Sequence, residues 1–530
     1  MTQLISKLKT LWLRDLNHQQ LINWEKIKRK WARELNIMPK SSDLASAYQE
    51  LVSSREINYD AQILESLTVK KVRTQSGVAP FAVMMKPYPC PGRCVFCVEE
   101  KGLPKSYMAD EPASARALSH NFDPIKQIES RLLQMKLTGH SPEKLQIIVV
   151  GGTFSAYEYD YKISFLKGIF DACNGFIAQD IKEAQHANEK SLHRVVGLSI
   201  ETRPDWISDE EIKLLRMCGV TKVQLGVQSL SEEINLKSAR GHDLEAVIRA
   251  TRQLRNAGFK INYHFMLNLP GSNPEKDISM FKELFDNANY RPDSIKIYPC
   301  TVIPQTPLYS LFKKGLYKSY EPEILVETLV QLKSIVPHYC RIDRLARDIT
   351  RNYTASGNLR TNLREMVVKK MAEKNLSCKC IRCREVKHNY RAYNNEIKIA
   401  TYKYEAAYGD EYLISFNDTE LLFGLLRLRI PHEKYRNEQL FPELKNASII
   451  RELQVFGKQA QIKSEKSETI QHRSLGIRLM LEAENITKSL GLSKVAVISG
   501  IGVRPYYKKL GYNLEGSYMI KNLHACISGD

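Results

Sequence analysis

The sequence predicts an α/β chain in which a full or partial barrel of six β-α units is followed by a cysteine-rich linker and a smaller C-terminal α+β domain. Three observations carry that prediction. Short apolar runs alternate with amphipathic stretches between residues 80 and 300, three cysteines follow the first run at C-x3-C-x2-C spacing, and near residue 396 the pattern becomes strand-rich α+β. At 530 residues the chain is too long for one ordinary core, so two or three domains are expected. The boundaries read from these changes are 1–75, 76–310, 311–395 and 396–530.

Residues 1–75 read as a basic helical extension, with Leu8, Leu11, Trp12, Leu16, Leu21 and Ile22 at partial amphipathic spacing and no cofactor motif. Lys26, Lys28, Arg29, Lys30 and Arg33 are interleaved with Trp24 and Trp31. With a formal net charge of +19, this offers phosphate contacts beside stacking rings, as RNA binding needs, although a solvated amphipathic helix explains the same letters. No apolar run reaches the length of a membrane span and no signal-peptide pattern follows Met1, which predicts a soluble, cytoplasmic protein. In a reducing compartment eleven cysteines, six of them in two tight clusters, read as metal ligands rather than disulfides.

Cys90-Pro91-Gly92-Arg93-Cys94-Val95-Phe96-Cys97 follows the strand-like run Phe81-Ala82-Val83-Met84-Met85. Three soft thiolates within eight residues can hold three irons of a cubane and leave the fourth open to a small molecule. A zinc knuckle would want a fourth ligand nearby, and no further cysteine occurs before Cys173; buried free thiols are the other plain reading. The spacing resembles the signature of the radical S-adenosylmethionine (SAM) enzymes. There the open iron of a [4Fe–4S] cluster chelates SAM, and an electron from the cluster cleaves it to a 5′-deoxyadenosyl radical.

The apolar runs of the barrel are 81–86, 145–150, 195–200, 223–227, 261–269 and 295–298, with amphipathic stretches between them such as 243–257, stopped by Gly258. Such repeats imply a parallel sheet with helices outside and an active site at the C-terminal strand ends. The residues there suit a ligand. Gly151-Gly152-Thr153-Phe154 lets backbone approach closely, Glu201-Thr202-Arg203-Pro204-Asp205 places charge for the ribose and carboxylate of SAM, Gln224 and Gln228 belong to the fourth strand, and Asn268-Leu269-Pro270-Gly271 ends the fifth. Each of these words alone is common, whereas four strand ends in phase behind the cysteines are specific.

In the linker, Cys378-x-Cys380-x2-Cys383 lies among basic residues and suggests a structural zinc site, with a second iron–sulfur cluster as the alternative. The fourth ligand must come from elsewhere. Cys340, His338 and Cys300 are candidates, and Cys340 is preferred because Cys300 ends a barrel strand.

From residue 396, strand-like runs at 412–416, 421–428 and 448–456 precede a helix at 475–490, a strand at 494–499 and the segment Tyr506 to Tyr512. Ile449-Ile450-Arg451-Glu452-Leu453-Gln454-Val455 leads into a loop ending Gln471-His472-Arg473-Ser474-Leu475-Gly476, where the helix begins. A strand, a loop and a helix N-terminus make a pyrophosphate cradle. This order resembles the acetyl-CoA-binding GNAT acetyltransferase fold. Ser474 stands where that fold's Gln/Arg-x-x-Gly-x-Gly/Ala loop has its first glycine, while Gln471 and Gly476 are in place.

A radical SAM barrel joined to a GNAT domain, with Gly139-His140-Ser141-x-x-Lys144, Gly424-Leu425-Leu426-Arg427-Leu428-Arg429, Arg451-Glu452-Leu453 and Ala496-Val497-Ile498-Ser499-Gly500, resembles the family of Elongator catalytic subunits in its single-chain prokaryotic form. The resemblance covers residue 75 to the C-terminus. It implies a tRNA wobble-uridine enzyme, in which a deoxyadenosyl radical abstracts hydrogen from the acetyl methyl of acetyl-CoA, the carbon adds to uridine C5, and thioester hydrolysis leaves 5-carboxymethyluridine. It further implies a [4Fe–4S] cluster on Cys90, Cys94 and Cys97, and acetyl-CoA contacts at Lys144, Glu452 to Val455, Leu475, Gly476, Ile477, Arg478 and Tyr507. The neighbours Tyr506 and Lys508 argue against Tyr507 being a core aromatic. An electron donor and the tRNA anticodon loop are the implied partners, with a homodimer open. A lysine acetyltransferase acting on protein is the competing reading; a tRNA-binding module with decayed sites is the third.

Overall fold

The computed structural model describes residues 2–16, 24–39, 41–58, 60, 63, 77–138, 140, 142–347, 349–386, 397–418, 420–457 and 474–523. Three helices, Thr2–Leu16, Trp24–Leu35 and Ser41–Ser53, form a small core of their own around Leu8, Trp12, Trp31 and Tyr48. The Trp12 and Trp31 rings meet edge to face at 5.2 Å. The expected stacking ring Trp31 therefore points inward, 1% exposed, and its Nε1 donates to Asp15 Oδ2 at 2.7 Å. An aromatic on an amphipathic helix buries more area in a core than on a face, and the indole N–H found an acid to satisfy it.

The first sheet is entirely parallel, in the order β1 (Val78–Met84), β2 (Lys144–Val150), β3 (Arg194–Thr202), β4 (Lys222–Gln228), β5 (Lys260–Leu267), β6 (Ser294–Pro299) and β7 (Arg341–Arg344). Helices between the strands bury one apolar stripe each. In Leu244–Asn256, for example, Val247, Ala250 and Leu254 face the sheet and the Asp243 side chain caps the N-terminus through Ala246 N. The free edge of β1 is covered: Gln127 bonds both Met84 N and Met84 O at 2.9 Å, and Arg116 Nη2 donates to Ala82 O at 2.7 Å.

The six expected strands are present, and a seventh was not anticipated. Arg341-Ile342-Asp343-Arg344 has no apolar run and lies in what reads as linker. It is held in the sheet by pairing with β6 and by an inward ion pair, Lys222 Nζ to Asp343 Oδ2 at 2.9 Å.

The second sheet runs β13 (Asn513–Glu515), β14 (Tyr518–Asn522), β12 (Lys494–Val497), β11 (Ala447–Val455), β10 (Leu422–Pro431), β9 (Gly409–Asn417) and β8 (Lys398–Glu405). The edge strand β8 escaped the sequence pattern because nearly all its side chains are exposed, and β13 and β14 because they are short. All pairings in this sheet are antiparallel except β11 with β12. That pair runs only from Ala447/Lys494 to Ile450/Val497, so β11 and β12 part beyond it. At the same level β11 carries an extra residue: Leu428 pairs with Ile450 and Arg427 with Glu452, leaving Arg451 bulged. The helix Leu475–Ser489 packs across the sheet. No described helix is long and apolar enough to cross a membrane.

The two large domains dock closely. A Cβ on Gly258 would meet Ile449 Cγ2 at 2.9 Å, and one on Gly500 would overlap the Val196 carbonyl, so both glycines permit the contact.

Candidate active site

The C-terminal ends of the barrel strands open into a cavity of ≈ 1240 Å³. Among the residues predicted for the site, Cys90, Cys97, Gly152, Thr153, Glu201, Arg203, Gln224 and Gln228 line it. Gly151 supports it from behind: its φ of +137° and its Cβ position 3.1 Å from Met85 Cβ leave room for glycine alone.

The cysteine loop leaves β1 and folds over the mouth. Gly92 N donates to Cys90 Sγ at 3.4 Å, and Cys90 Sγ lies 3.7 Å from Thr153 Oγ1. Arg240 Nη1 donates to the buried Cys94 Sγ at 3.4 Å. A hydrogen bond from Cys97, opposed by burial and helped by Arg240, lowers the Cys94 thiol, while the same bond and burial push the Cys97 thiol up. Arg203 braces the loop: its Nη1 is 2.6 Å from where a Gly92 Cβ would be, and it is itself held by Asp205 Oδ2 at 2.8 Å and the Arg240 carbonyl at 3.0 Å. Cys90, Cys94 and Cys97 bring three soft thiol donors to one loop at the cavity, the donor set that a cubane cluster takes at one thiolate per iron.

Several groups in the cavity were not singled out from the sequence. Glu201 accepts from Tyr107 at 2.7 Å and from Lys296 Nζ at 3.0 Å. Burial pushes the Glu201 carboxyl up, but Lys296, His264 and the Tyr107 hydroxyl overturn this and hold it at about 2. His264 bonds Gln224 Oε1 at 3.3 Å, and burial beside Lys296 pushes it down to about 3, keeping the ring neutral. Arg347, from the loop after β7, pairs with Glu111 at 2.7 Å and lies over the Tyr107 ring. His264 and Lys296 were legible as polar residues on the inward phase of apolar strands. Arg240 and Arg347 sit in loops and carry no periodic signal.

Lys144 begins β2 at the foot of the barrel, about 20 Å from the mouth at seven residues of strand. Burial and the neighbouring Arg194 lower its pKa. Arg194 packs against Gly502 of the second domain, so Lys144 belongs to the interdomain side rather than to the barrel cavity.

In the second domain, Leu453, Gln454 and Val455 end β11 where it has parted from β12. Gly476 opens the following helix beside them, its Cβ position 3.8 Å from Val455 Cγ2 and 2.9 Å from Tyr506 Oη. Ser474 sits at φ +55°, the left-handed conformation for which glycine is the natural choice. Leu475 is buried, while Ile477 and Arg478 face outward, with Arg478 over the Phe416 ring at 4.7 Å. Gln471 lies outside the described residues.

Two of the predicted contact residues hold their side chains inward in this structure. Both Glu452 carboxylate oxygens are taken, one by Lys260 Nζ and one by Arg427 Nε at 2.8 Å, so only its backbone is open to a ligand. Tyr507 is 6% exposed and packs in the core against Tyr506 and Tyr512, because the short helix Arg504–Lys508 turns it under the sheet; Tyr506 is the ring at Gly476.

The sulfurs of Cys378, Cys380 and Cys383 do lie within 4.8 Å of one another. Cys340 is not in that group of three. Its carbonyl accepts from Ile381 N at 3.0 Å, and its buried thiol lies 3.9 Å from Arg341 O. Lys333 Nζ, buried, donates to Cys383 Sγ at 3.4 Å. Cys300 packs with Val302, Leu308 and Tyr317, and His338 offers its carbonyl to Arg384 Nη2 at 2.7 Å. In the N-terminal helices Arg29, Lys30 and Arg33 are exposed; the side chains of Lys26 and Lys28 lie outside the described residues.

Comparison with known proteins agrees with this geometry. Residues 88–284 match the radical SAM superfamily and residues 292–373 the radical SAM C-terminal domain. The chain is 42% identical over 476 residues to a tRNA uridine(34) acetyltransferase of Methanocaldococcus jannaschii, covering 87% of each. It is 37% identical over 524 residues to human Elongator complex protein 3, covering 95% of this chain and 93% of that one. Among solved structures, the archaeal Methanocaldococcus infernus Elp3 lacking its N-terminus superposes with a TM-score of 0.74 at 40% identity, covering 84% of this chain and all of the other. The chain belongs to the radical SAM superfamily and, within it, to the family of the tRNA uridine(34) acetyltransferases and Elongator complex protein 3.

Proposed function

We propose that this protein modifies the wobble uridine of tRNA, using acetyl-CoA to form 5-carboxymethyluridine. The observation that carries this reading is the pairing, in one docked body, of a three-cysteine loop over the barrel cavity with a strand-parting cleft and helix N-terminus in the second domain. The cluster and SAM, when bound, would supply a hydrogen-abstracting carbon radical; on this reading the acetyl group becomes the substituent at uridine C5 in place of its hydrogen, and water cleaves the thioester to release coenzyme A. An external electron donor is required.

The chain's own residues serve that chemistry. Cys90, Cys94 and Cys97 would hold the iron, with Arg240 and Arg203 steadying the loop. Lys296, paired with Glu201, and Arg347, paired with Glu111, give the cavity cationic donors whose remaining N–H groups suit a carboxylate or phosphate, and the neutral His264 adds no further charge. The backbone of 452–455 and the unpaired amides at Gly476 suit a pantetheine arm and a pyrophosphate. Exposed Arg29 and Arg33 with the overall charge of +19 favour an RNA backbone. Cys378, Cys380 and Cys383 would hold a structural zinc.

The test is anaerobic reconstitution with dithionite, SAM, acetyl-CoA and unmodified tRNA, followed by nucleoside mass spectrometry. The expected product is 5-carboxymethyluridine, lost in Cys94→Ala. Acetylated protein formed equally well by Cys94→Ala, with no modified nucleoside, would replace this reading with a lysine acetyltransferase.

A further inference from the structure

We infer that the hydroxyl of Ser499 recognises the thioester carbonyl of acetyl-CoA, donating a hydrogen bond to its oxygen; this rests on the acetyl-CoA reading above. The second domain brings β11 and β12 together only as far as Ile450 and Val497, and the last bond between them is Ile498 N to Ile450 O at 3.1 Å. Ser499 is the next residue. It therefore stands at the point where the two strands part, across from residues 452–455 of β11, which pair with β10 on one edge and leave the β12 edge open.

Its side chain is 1% exposed, and Oγ has no hydrogen-bond partner among the described residues. A buried hydroxyl left unpaired is costly, since folding strips it of water and returns nothing. Its neighbours show which way it faces. The Ile498 Cβ is 3.5 Å from the Cβ position of Gly258, and the Cβ position of Gly500 overlaps Val196, so both flanking residues turn to the barrel. The strand ends at Val497 and Ser499 N donates back to Val497 O at 3.0 Å; with both neighbours turned to the barrel, the Ser499 side chain is left to the second domain, where the strands diverge.

The surroundings favour a carbonyl over a charged group. Ile450 and Val497 at the parting point are buried and apolar, and the nearest strand continues with Leu453 and Val455. A single donor in an apolar setting orients a neutral acceptor and rejects a ligand that lacks one. The docked Ser499–Gly502 segment also lies on the start of β3, next to the strand that carries Lys144, so a thioester held here would sit at the junction of the domains.

The test compares acetyl-CoA with S-ethyl-CoA, a thioether without the carbonyl, by isothermal titration of the full chain, for the native protein, Ser499→Ala and Ser499→Thr. Ser499→Ala is expected to bind acetyl-CoA about 5- to 10-fold more weakly while S-ethyl-CoA changes less than about twofold, and Ser499→Thr to recover most of the difference. Unliganded Ser499→Ala should melt at the same temperature or higher, because it removes an unpaired buried hydroxyl. Equal effects on the two ligands, or none on either, would overturn the inference. If the native protein binds neither, the acetyl-CoA reading itself fails and this inference falls with it.

Discussion

Arg451 on the bulge of β11 and Asp293 at the foot of β6 form an ion pair across the domain boundary, 2.9 Å from Nη1 to Oδ2, with neither side chain exposed. Around it Glu411 takes Arg255 at 3.0 Å, Arg429 at 3.0 Å and the Nε of Arg451 at 3.2 Å, while Glu452 takes Arg427 and Lys260. The words Gly424-Leu425-Leu426-Arg427-Leu428-Arg429 and Arg451-Glu452-Leu453 are thus, in their charged letters, the seam between barrel and second domain.

Breaking this seam on one side leaves a buried charge uncompensated. Arg451→Ala is expected to destabilise the protein by about 3–5 kcal/mol and to separate the unfolding of the two domains. Urea unfolding followed by calorimetry reads both effects; a single transition of native midpoint would show that the pair contributes little.

Asp277 links pH to the barrel mouth. It accepts from Asn268 N and Tyr320 at 2.8 Å, which fixes the loop after β5, yet burial raises its pKa from the ordinary 3.8 to about 6. The native protein therefore keeps a proton that the unfolded chain releases between pH 4 and 6, so stability falls as pH rises through that window, by about 3 kcal/mol. Asp277→Asn should remove that slope in urea titrations at pH 4, 5, 6 and 7, and an unchanged slope would assign it to another group.

The linker should carry one zinc per chain, measured by plasma mass spectrometry. Cys380→Ser is expected to lose it, with affinity down at least about 100-fold, whereas Cys340→Ala should retain it because the three sulfurs that close on one another do not include that of Cys340. Loss of metal in both variants would place Cys340 in the ligand set.

Ser474 holds a left-handed conformation without a side-chain cap on the helix it opens. Ser474→Gly should stabilise the protein by about 1 kcal/mol and leave acetyl-CoA binding at least as tight. A lower melting temperature would mean that the hydroxyl makes a bond to the loop that offsets the strain.

By itself the sequence determined what depends on neighbours in the chain. Three cysteines within eight residues can converge whatever the rest of the chain does, six strands are visible because each alternates inside a short run, and a helix opening at Leu475 is visible from its loop. Tertiary structure decided everything that depends on register between distant segments. It placed Lys296 and His264 against Glu201, brought Arg240 146 residues along the chain to Cys94, turned Trp31 and Tyr507 inward, and closed the three linker sulfurs on one another without that of Cys340. It also closed Glu452 onto Lys260, making a predicted ligand contact part of the domain seam. The physical reason is that an ionic or polar side chain has no preferred partner in sequence: in a parallel sheet a shift of one residue turns every side chain to the other face, so the fold alone selects which charges meet.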